Sequence, residues 1–187
     1  PTYSGQLTFI TIATTGDATA FGSLTSPPAV ADSGGINSPT RAILHGLNNA
    51  DGNIKMCEFV TFETLGNSQE FGNLSVARQA GSGGSSLTRG ISNGGLTPSL
   101  TDVIDYCTIA TLGDFIDFGN LSQARRSPGG CSSLIRGLTG GGTTPTNQNT
   151  IDYVTIASTG NSTDFGDLTY SARNVKGNSD SHGGLAR

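Results

Sequence analysis

The 187-residue chain carries 28 glycines and a formal net charge of −4, with 34% hydrophobic and only 13% charged residues. Low net charge and regularly spaced apolar residues argue against a disordered chain, and the acidic balance leaves no basic surface for nucleic acid or an anionic membrane. No apolar run approaches the roughly 18 residues of a membrane helix. The glycine-rich, weakly charged composition favours a single β-domain rich in tight turns.

The chain begins with part of a repeating unit, over about residues 1–30. The block FITIATTGDATAFGSLT from Phe9 opens with β-branched and aromatic residues, which predict a strand. Gly16 and the polar residue after it predict a turn, and Phe21-Gly22 predicts a short return strand that bends at the glycine. This segment therefore predicts a two-stranded hairpin.

The same block returns from Phe59, Tyr106 and Tyr153, at steps of 50, 47 and 47 residues. Such a period indicates a repeat architecture. We call residues 31–78, 79–125 and 126–173 repeats 1, 2 and 3, and residues 174–187 begin another unit. The structural marks of the units are a turn glycine, a phenylalanine before glycine, and an arginine after alanine: Gly16, Gly66, Gly113 and Gly160; Phe21, Phe71, Phe118 and Phe165; Arg78, Arg125 and Arg173.

A Gly- and Ser-rich segment with an arginine lies between these blocks, as in SSLTRGISNGG and SSLIRGLTGGG. It predicts two more short strands, joined in the last copy at the turn Leu134 to Gly137, and so four strands per repeat. The stretch TTPTNQN, residues 143–149, predicts a loop. No stretch has apolar residues at helical spacing, so the predicted fold class is all-β.

The order of these elements resembles the kelch repeat. A strand that ends in Gly-Gly precedes a strand with Asp-Tyr, as at Asp105-Tyr106 and Asp152-Tyr153, and then come an aromatic-x-x-Leu strand and an arginine. Phe stands where kelch repeats have Trp. The resemblance implies a β-propeller built from four-stranded repeats of about 47 residues, with about four blades or an incomplete array of blades.

The amino-acid sequence of the repeat, close to IDYVTIATTGNATDFGDLT, is also similar to repeat regions of structural proteins in tailed bacteriophages, notably those of marine cyanobacteria. This similarity covers nearly the whole chain. It implies a virion or tail-associated module.

The candidate binding residues are the arginines of the Gly-rich segment, Arg41, Arg89 and Arg136. Each guanidinium either donates to carbonyls between neighbouring blades, or belongs to a ring of donors around a propeller mouth. Such a ring would suit a sugar or an acidic peptide, because planar guanidinium groups recognise hydroxyls and carboxylates. The sequence leaves both interpretations open.

The remaining polar residues predict no enzyme. His45 and His182 occupy unrelated repeat positions, and no zinc, calcium or phosphate-loop pattern occurs, so no metal or cofactor is expected. The Asn or Asp after each turn glycine is expected to cap that turn through its side chain.

The cysteines and the sequons do not determine in which cellular compartment the protein lies. Three cysteines are interpreted as small buried hydrophobic residues, with one disulfide left open as an alternative: Cys57, Cys107 and Cys131. Three sequons are candidate glycosylation acceptors: Asn73, Asn120 and Asn161.

Together these features predict a non-enzymatic structural or adhesive module of an extracellular or virion assembly. The alternative is a carbohydrate-binding propeller that recognises surface glycans. Because the sequence starts and stops within a repeat, unpaired strand edges favour association, so the predicted partners are other copies of the chain, in head-to-tail or ring assembly.

Overall fold

The computed structural model describes residues 5–26, 34–49 and 52–179. This part of the chain consists of β-strands and connecting turns and contains no helix, so the all-β prediction is confirmed. Within the described ranges the strands form five antiparallel sheets, and no strand pairing joins the first sheet to the last. The described residues also contain no helix that could span a lipid bilayer.

The strands of the first two units form three antiparallel sheets. The N-terminal hairpin consists of β1 (Gln6–Phe9) and β2 (Thr19–Ser23). The strands of repeat 1 are β3 (Gly34–Asn37), β4 (Arg41–His45), β5 (Asn48–Asn49), β6 (Gly52–Asn53), β7 (Met56–Thr61) and β8 (Gln69–Asn73). Strands β5 and β6 pair with each other, and the other four form an antiparallel sheet in the order β3-β4-β7-β8.

Repeats 2 and 3 reproduce this four-stranded meander. The strands of repeat 2 are β9 (Ser82–Ser85), β10 (Arg89–Leu96), β11 (Leu100–Thr108) and β12 (Ile116–Asn120). The strands of repeat 3 are β13 (Gly129–Ser132), β14 (Arg136–Gly140), β15 (Thr143–Thr144), β16 (Thr146–Thr155) and β17 (Thr163–Ala172). In repeat 3 the main order is β13-β14-β16-β17, and β15 adds a short pairing to β16.

The return strands bend at the Phe-Gly pair, as the sequence predicts. In repeat 1 the register shifts between Cys57 and Glu58, so that Phe71 is an extra residue beside Gly72. A β-bulge of this kind turns the bulged side chain and increases the local twist. Phe71 and Leu74 consequently both enter the core, although three residues separate them in the chain.

Two sequence-based boundaries in repeat 3 are wrong. Arg136 is the first residue of β14, so the turn before it ends two residues earlier than expected. The expected loop 143–149 is a tight hairpin, in which Thr143 and Thr144 pair with Asn147 and Thr146. Threonine fits a strand because it is β-branched, and only Pro145, between Thr144 and Thr146, marks the turn.

The core lies between repeats as well as within them. One cluster of buried side chains combines repeat 1 with the third strand and hairpin turn of repeat 2: Ile36, Ile43, Cys57, Phe59, Phe71, Leu74, Cys107, Ile109 and Phe115. A second cluster joins repeats 2 and 3: Ile91, Ile104, Phe118, Leu121, Val154 and Ile156. Each repeat therefore needs its neighbour to bury its apolar residues, as in other repeat proteins.

The three cysteines are free thiols, so the disulfide alternative is wrong for this structure. Cys57 and Cys107 are buried in the first cluster, and Cys131 is partly exposed. Burial raises the pKa of Cys107 to about 12, so this thiol is unreactive at neutral pH. Cys57 and Cys107 therefore act as small core residues, whereas Cys131 lies outside both core clusters.

Candidate functional site

The hairpin turn of each unit forms backbone hydrogen bonds with the last strand of the unit before it. The Gly113 N–H donates to the Phe71 carbonyl at 2.9 Å, and Gly160 donates to Phe118 at 2.8 Å. The first junction has the same bond, from Gly66 to Phe21 at 2.9 Å. The turn glycines and the Phe-Gly pairs are thus the two halves of one repeated contact.

The Asn or Asp after the turn glycine completes this contact. Asn67 Oδ1 accepts the Ser23 N–H at 3.0 Å, and Asp114 Oδ1 accepts the Asn73 N–H at 2.9 Å. These side chains cap a strand of the preceding unit, so the expectation that they cap their own turn is wrong. An oxygen acceptor at this position satisfies a strand N–H that has no ladder partner in its own sheet.

The sequons lie within this contact. The Asn73 side-chain amide donates to Asp114 at 3.0 Å, and Asn161 Oδ1 accepts the Asn120 N–H at 3.0 Å. An N-linked glycan is attached to the side-chain nitrogen, which in Asn73 is the atom that donates to Asp114. Asn120 itself is exposed on β12.

A buried ion pair forms a second repeated contact. Arg78, at the end of repeat 1, lies 3.0 Å from Asp105 of repeat 2, and both side chains are buried. Asp105 also accepts the Ser75 hydroxyl at 2.7 Å. Arg78 further donates to the Ser92 carbonyl at 3.2 Å, so it binds the strand that lies beside its acid.

The next junction repeats the pair 47 residues later. Arg125 lies 2.8 Å from Asp152, and Ser122 donates its hydroxyl to Asp152 at 2.7 Å. Arg125 also donates to the Thr139 carbonyl at 3.0 Å. The marker arginines Arg78 and Arg125 therefore link two neighbouring repeats, whereas the third marker, Arg173, is exposed.

At the first junction an acid is present and is held by hydroxyl and backbone donors. Glu58 accepts the Ser26 N–H at 2.6 Å and the Thr25 hydroxyl at 3.1 Å, and the Ser68 hydroxyl also donates to it. Burial raises the pKa of this carboxyl, but these donors outweigh that effect and hold its pKa below its usual value.

The sequence reasoning missed the acids as a set. Asp105 and Asp152 were noted only for their place before a tyrosine, and Glu58 was not noted. The available signal was an acidic residue recurring at a 47-residue step directly before the aromatic residue of the third strand: Glu58, Asp105 and Asp152.

The candidate binding arginines lie on three separate sheets. Each guanidinium stacks on the aromatic ring of the neighbouring strand, with Arg89 4.4 Å from the Tyr106 ring centre. Arg41 also donates to the Ala110 carbonyl at 2.9 Å, and Arg89 donates to the Ile156 carbonyl at 2.9 Å. These bonds to the following repeat favour the structural interpretation for Arg41 and Arg89.

Arg136 has the same ring contact, 4.8 Å from the Tyr153 centre, but within the described residues no carbonyl of a further repeat accepts from it. We therefore expect Arg89→Ala to lower the free energy of unfolding by about 1–2 kcal/mol more than Arg136→Ala, because only Arg89 loses a charge-assisted bond between repeats. Urea unfolding of both variants measures this difference. Equal losses would argue that the arginine-carbonyl bonds contribute nothing.

Serine side chains connect the first strands of the repeats. Ser85 donates its hydroxyl to the Asn37 carbonyl at 2.8 Å, and Ser132 donates to the Ser85 carbonyl at 2.9 Å. Ser179, beyond β17, donates in the same way to Ser132. The first strands of successive repeats are thus joined by one hydroxyl per repeat.

His45 is buried beside this region. Its Nδ1 lies 3.0 Å from the Ser92 hydroxyl of repeat 2. Burial, with a smaller effect of the nearby Arg78 charge, lowers the pKa of His45 to about 3. The imidazole is therefore neutral over the physiological range and is placed for packing.

This burial predicts an acid-sensitive fold. The pKa of His45 falls from 6.5 to about 3 on folding, so between these values only the unfolded chain takes up the proton. Stability should be independent of this group above pH 6.5 and fall by up to about 1.4 kcal/mol per pH unit as the pH drops below it. His45→Asn, which copies Asn93 of repeat 2, should remove most of the slope between pH 6.5 and 5. Chemical denaturation at several pH values tests this, and an unchanged slope would contradict it.

Cavities recur in the hairpins between the third and fourth strands. A cavity of about 320 Å³ in repeat 1 is lined by Phe59, Thr61, Thr64 and Leu65, among others. A cavity of about 140 Å³ occupies the equivalent place in repeat 2. The described residues contain no cluster of three or more His, Cys, Asp or Glu side chains that could hold a metal ion.

No protein-family model and no curated protein sequence matches this chain.

Proposed function

We propose that the chain is a non-enzymatic structural module of an extracellular or virion assembly, in which kelch-like blades serve as a rigid scaffold. The observation that carries this proposal is that the recurring polar residues make contacts between consecutive units. Turn glycines, capping Asn or Asp residues, buried acids and marker arginines are engaged in contacts between consecutive units at the described junctions. Residues that recur at the same position of each repeat and hold consecutive repeats together are typical of a scaffold.

The strand arrangement supports blades of a propeller. Each complete repeat is a four-stranded antiparallel meander, as propeller blades are. The glycine-rich first strands lie next to each other, and β3, β9, β13 and residues 177–179 line one groove of about 200 Å³. In a propeller the innermost strands line a common axis in the same way.

The proposed location follows the similarity of the repeat to structural proteins of tailed phages. Electron microscopy of purified native assemblies, with an antibody against this chain, tests it. We expect label at regular positions on an ordered particle or fibre. Label confined to soluble material with no ordered assembly would overturn the proposal.

A second candidate function is glycan binding by the hairpin cavities. The observation that favours it is the repetition of a cavity with an aromatic ring and threonine hydroxyls, which are groups that contact sugars, in repeats 1 and 2. A glycan array with the purified chain tests this. Binding that is lost in Thr64→Ala with Thr111→Ala, but retained in Arg136→Ala, would support the cavities, and absence of binding would eliminate this candidate.

A further inference from the structure

We infer that the face of repeat 3 formed by residues 165–173 binds the β1–β2 hairpin of a second copy of this chain. The inference rests on the proposed scaffold function, because it extends the contacts between repeats across two molecules. Its partner is defined by chemistry: a turn glycine followed by an acidic residue, placed at the tip of a hairpin.

Each of the two surfaces lacks the neighbour that it has at the junctions within the chain. The face of repeat 3 offers a Phe-Gly pair, and the first hairpin offers a turn glycine. A Cβ atom placed on Gly72 would lie 2.1 Å from the Gly113 carbonyl oxygen, which shows how closely the next turn covers that strand. At Gly166 the same atom would meet nothing within 4 Å among the described residues. The N–H groups of Gly66, Gly113 and Gly160 each donate to the preceding unit, and among the described residues the Gly16 N–H makes no such bond. The acceptor strand of repeat 3 and the turn of the first hairpin are both open.

Apolar side chains follow the same pattern at the two junctions between complete repeats. Ile109 and Ile156 are each 1% exposed, because each packs against the preceding repeat. Ile12, at the equivalent position of the first hairpin, is 94% exposed. Leu138 occupies the place where Ile91 receives Ile156, and it is only partly buried. Docking the hairpin on repeat 3 would place Ile12 against Leu138.

A two-stranded unit is sufficient for this contact. Strands β1 and β2 already stack on repeat 1 through Phe21, Ser23 and their partners, with no further strands of that unit among the described residues. At the end of repeat 3, residues 175–179 already lie along β13, in the place that the first strand of a next layer would take. The inferred junction would combine this segment from one copy with the two strands of the hairpin from the other.

One element of the internal junctions is missing from this pair of surfaces. Arg173 is exposed on the face of repeat 3 and corresponds to the buried Arg78 and Arg125. Its carboxylate partner should come from the position of Asp105, which in the first hairpin is Thr8. The wild-type junction therefore lacks an ion pair, and we expect association that is weak and reversible.

Sedimentation velocity of the full chain over a range of concentrations tests the inference. We expect reversible association in the wild type and loss of it in Asp17→Ala. Thr8→Asp supplies the missing carboxylate and should shift association to about tenfold lower concentration. Adding Arg173→Ala should cancel that shift. Thr14→Asp, which adds the same charge elsewhere in the hairpin, should give no such shift.

Three results would overturn the inference: a Thr8→Asp chain that stays monomeric, association of Thr8→Asp that is unaffected by Arg173→Ala, or a concentration-independent stabilisation that indicates closure within one molecule. These results leave the scaffold proposal standing if microscopy still finds the chain in ordered assemblies. Association that follows the expected pattern in a chain absent from such assemblies would remove the scaffold proposal alone.

Discussion

Arg125→Met is expected to lower the free energy of unfolding by about 3–5 kcal/mol, because it leaves the Asp152 carboxylate buried without its cation. Both side chains are fully buried and their atoms lie 2.8 Å apart. Breaking one half of such a pair costs much more than losing a surface salt bridge, which contributes about 0–1 kcal/mol. Calorimetry or denaturant unfolding measures the loss.

The control for this prediction is the double variant Arg125→Met with Asp152→Asn. The amide carries no charge and still offers an oxygen to the Ser122 N–H, which donates to Asp152 at 3.2 Å in the wild type. We expect the double variant to recover at least about 1 kcal/mol relative to Arg125→Met. A loss below about 1 kcal/mol in the single variant would show that the pair does not hold the repeats together.

Gly119→Ala should destabilise the chain by at least about 2 kcal/mol more than Gly166→Ala. Both glycines follow the marker phenylalanine and have positive φ, +147° and +139°, so the backbone strain of an alanine is matched. Only Gly119 lies under the next turn, where a Cβ atom would be 2.4 Å from the Gly160 carbonyl oxygen. The difference in unfolding free energy between the two variants therefore measures the contribution of the close packing between two repeats.

Thermal unfolding at low protein concentration measures both glycine variants as monomers. Equal melting temperatures would contradict the structural interpretation of the Phe-Gly pair. A smaller loss in Gly119→Ala than in Gly166→Ala would contradict it as well.

Much of the fold follows from local sequence rules. Alternating β-branched residues predict the third strand of each unit, and the 47-residue step predicts that the units are alike. The bend at Phe71-Gly72 was also predictable, because Phe71 and Leu74 can both be buried only if the strand is irregular between them. The hairpin across residues 143–147 was missed, because a proline flanked by threonines fits a loop as well as a two-residue ladder.

The contacts between repeats were harder to predict, because they join residues 14 to 69 positions apart through side chains with ordinary local roles. An aspartate after a glycine is a normal turn residue, and nothing local shows that Asp114 reaches the strand of the previous repeat. Arg78 and Arg125 were recognised as repeat marks, but their acids lie on the following repeat. The stacking order of the sheets was needed to pair them.

Hydrogen exchange of the turn-glycine amides tests the central claim most directly, since these amides lie in turns and gain a partner only from the preceding unit. In the dilute monomer we predict strong protection of the Gly66, Gly113 and Gly160 amides and fast exchange of the Gly16 amide. Fast exchange of all four would contradict the account, because the repeats would then not be held together by the residues that recur in them.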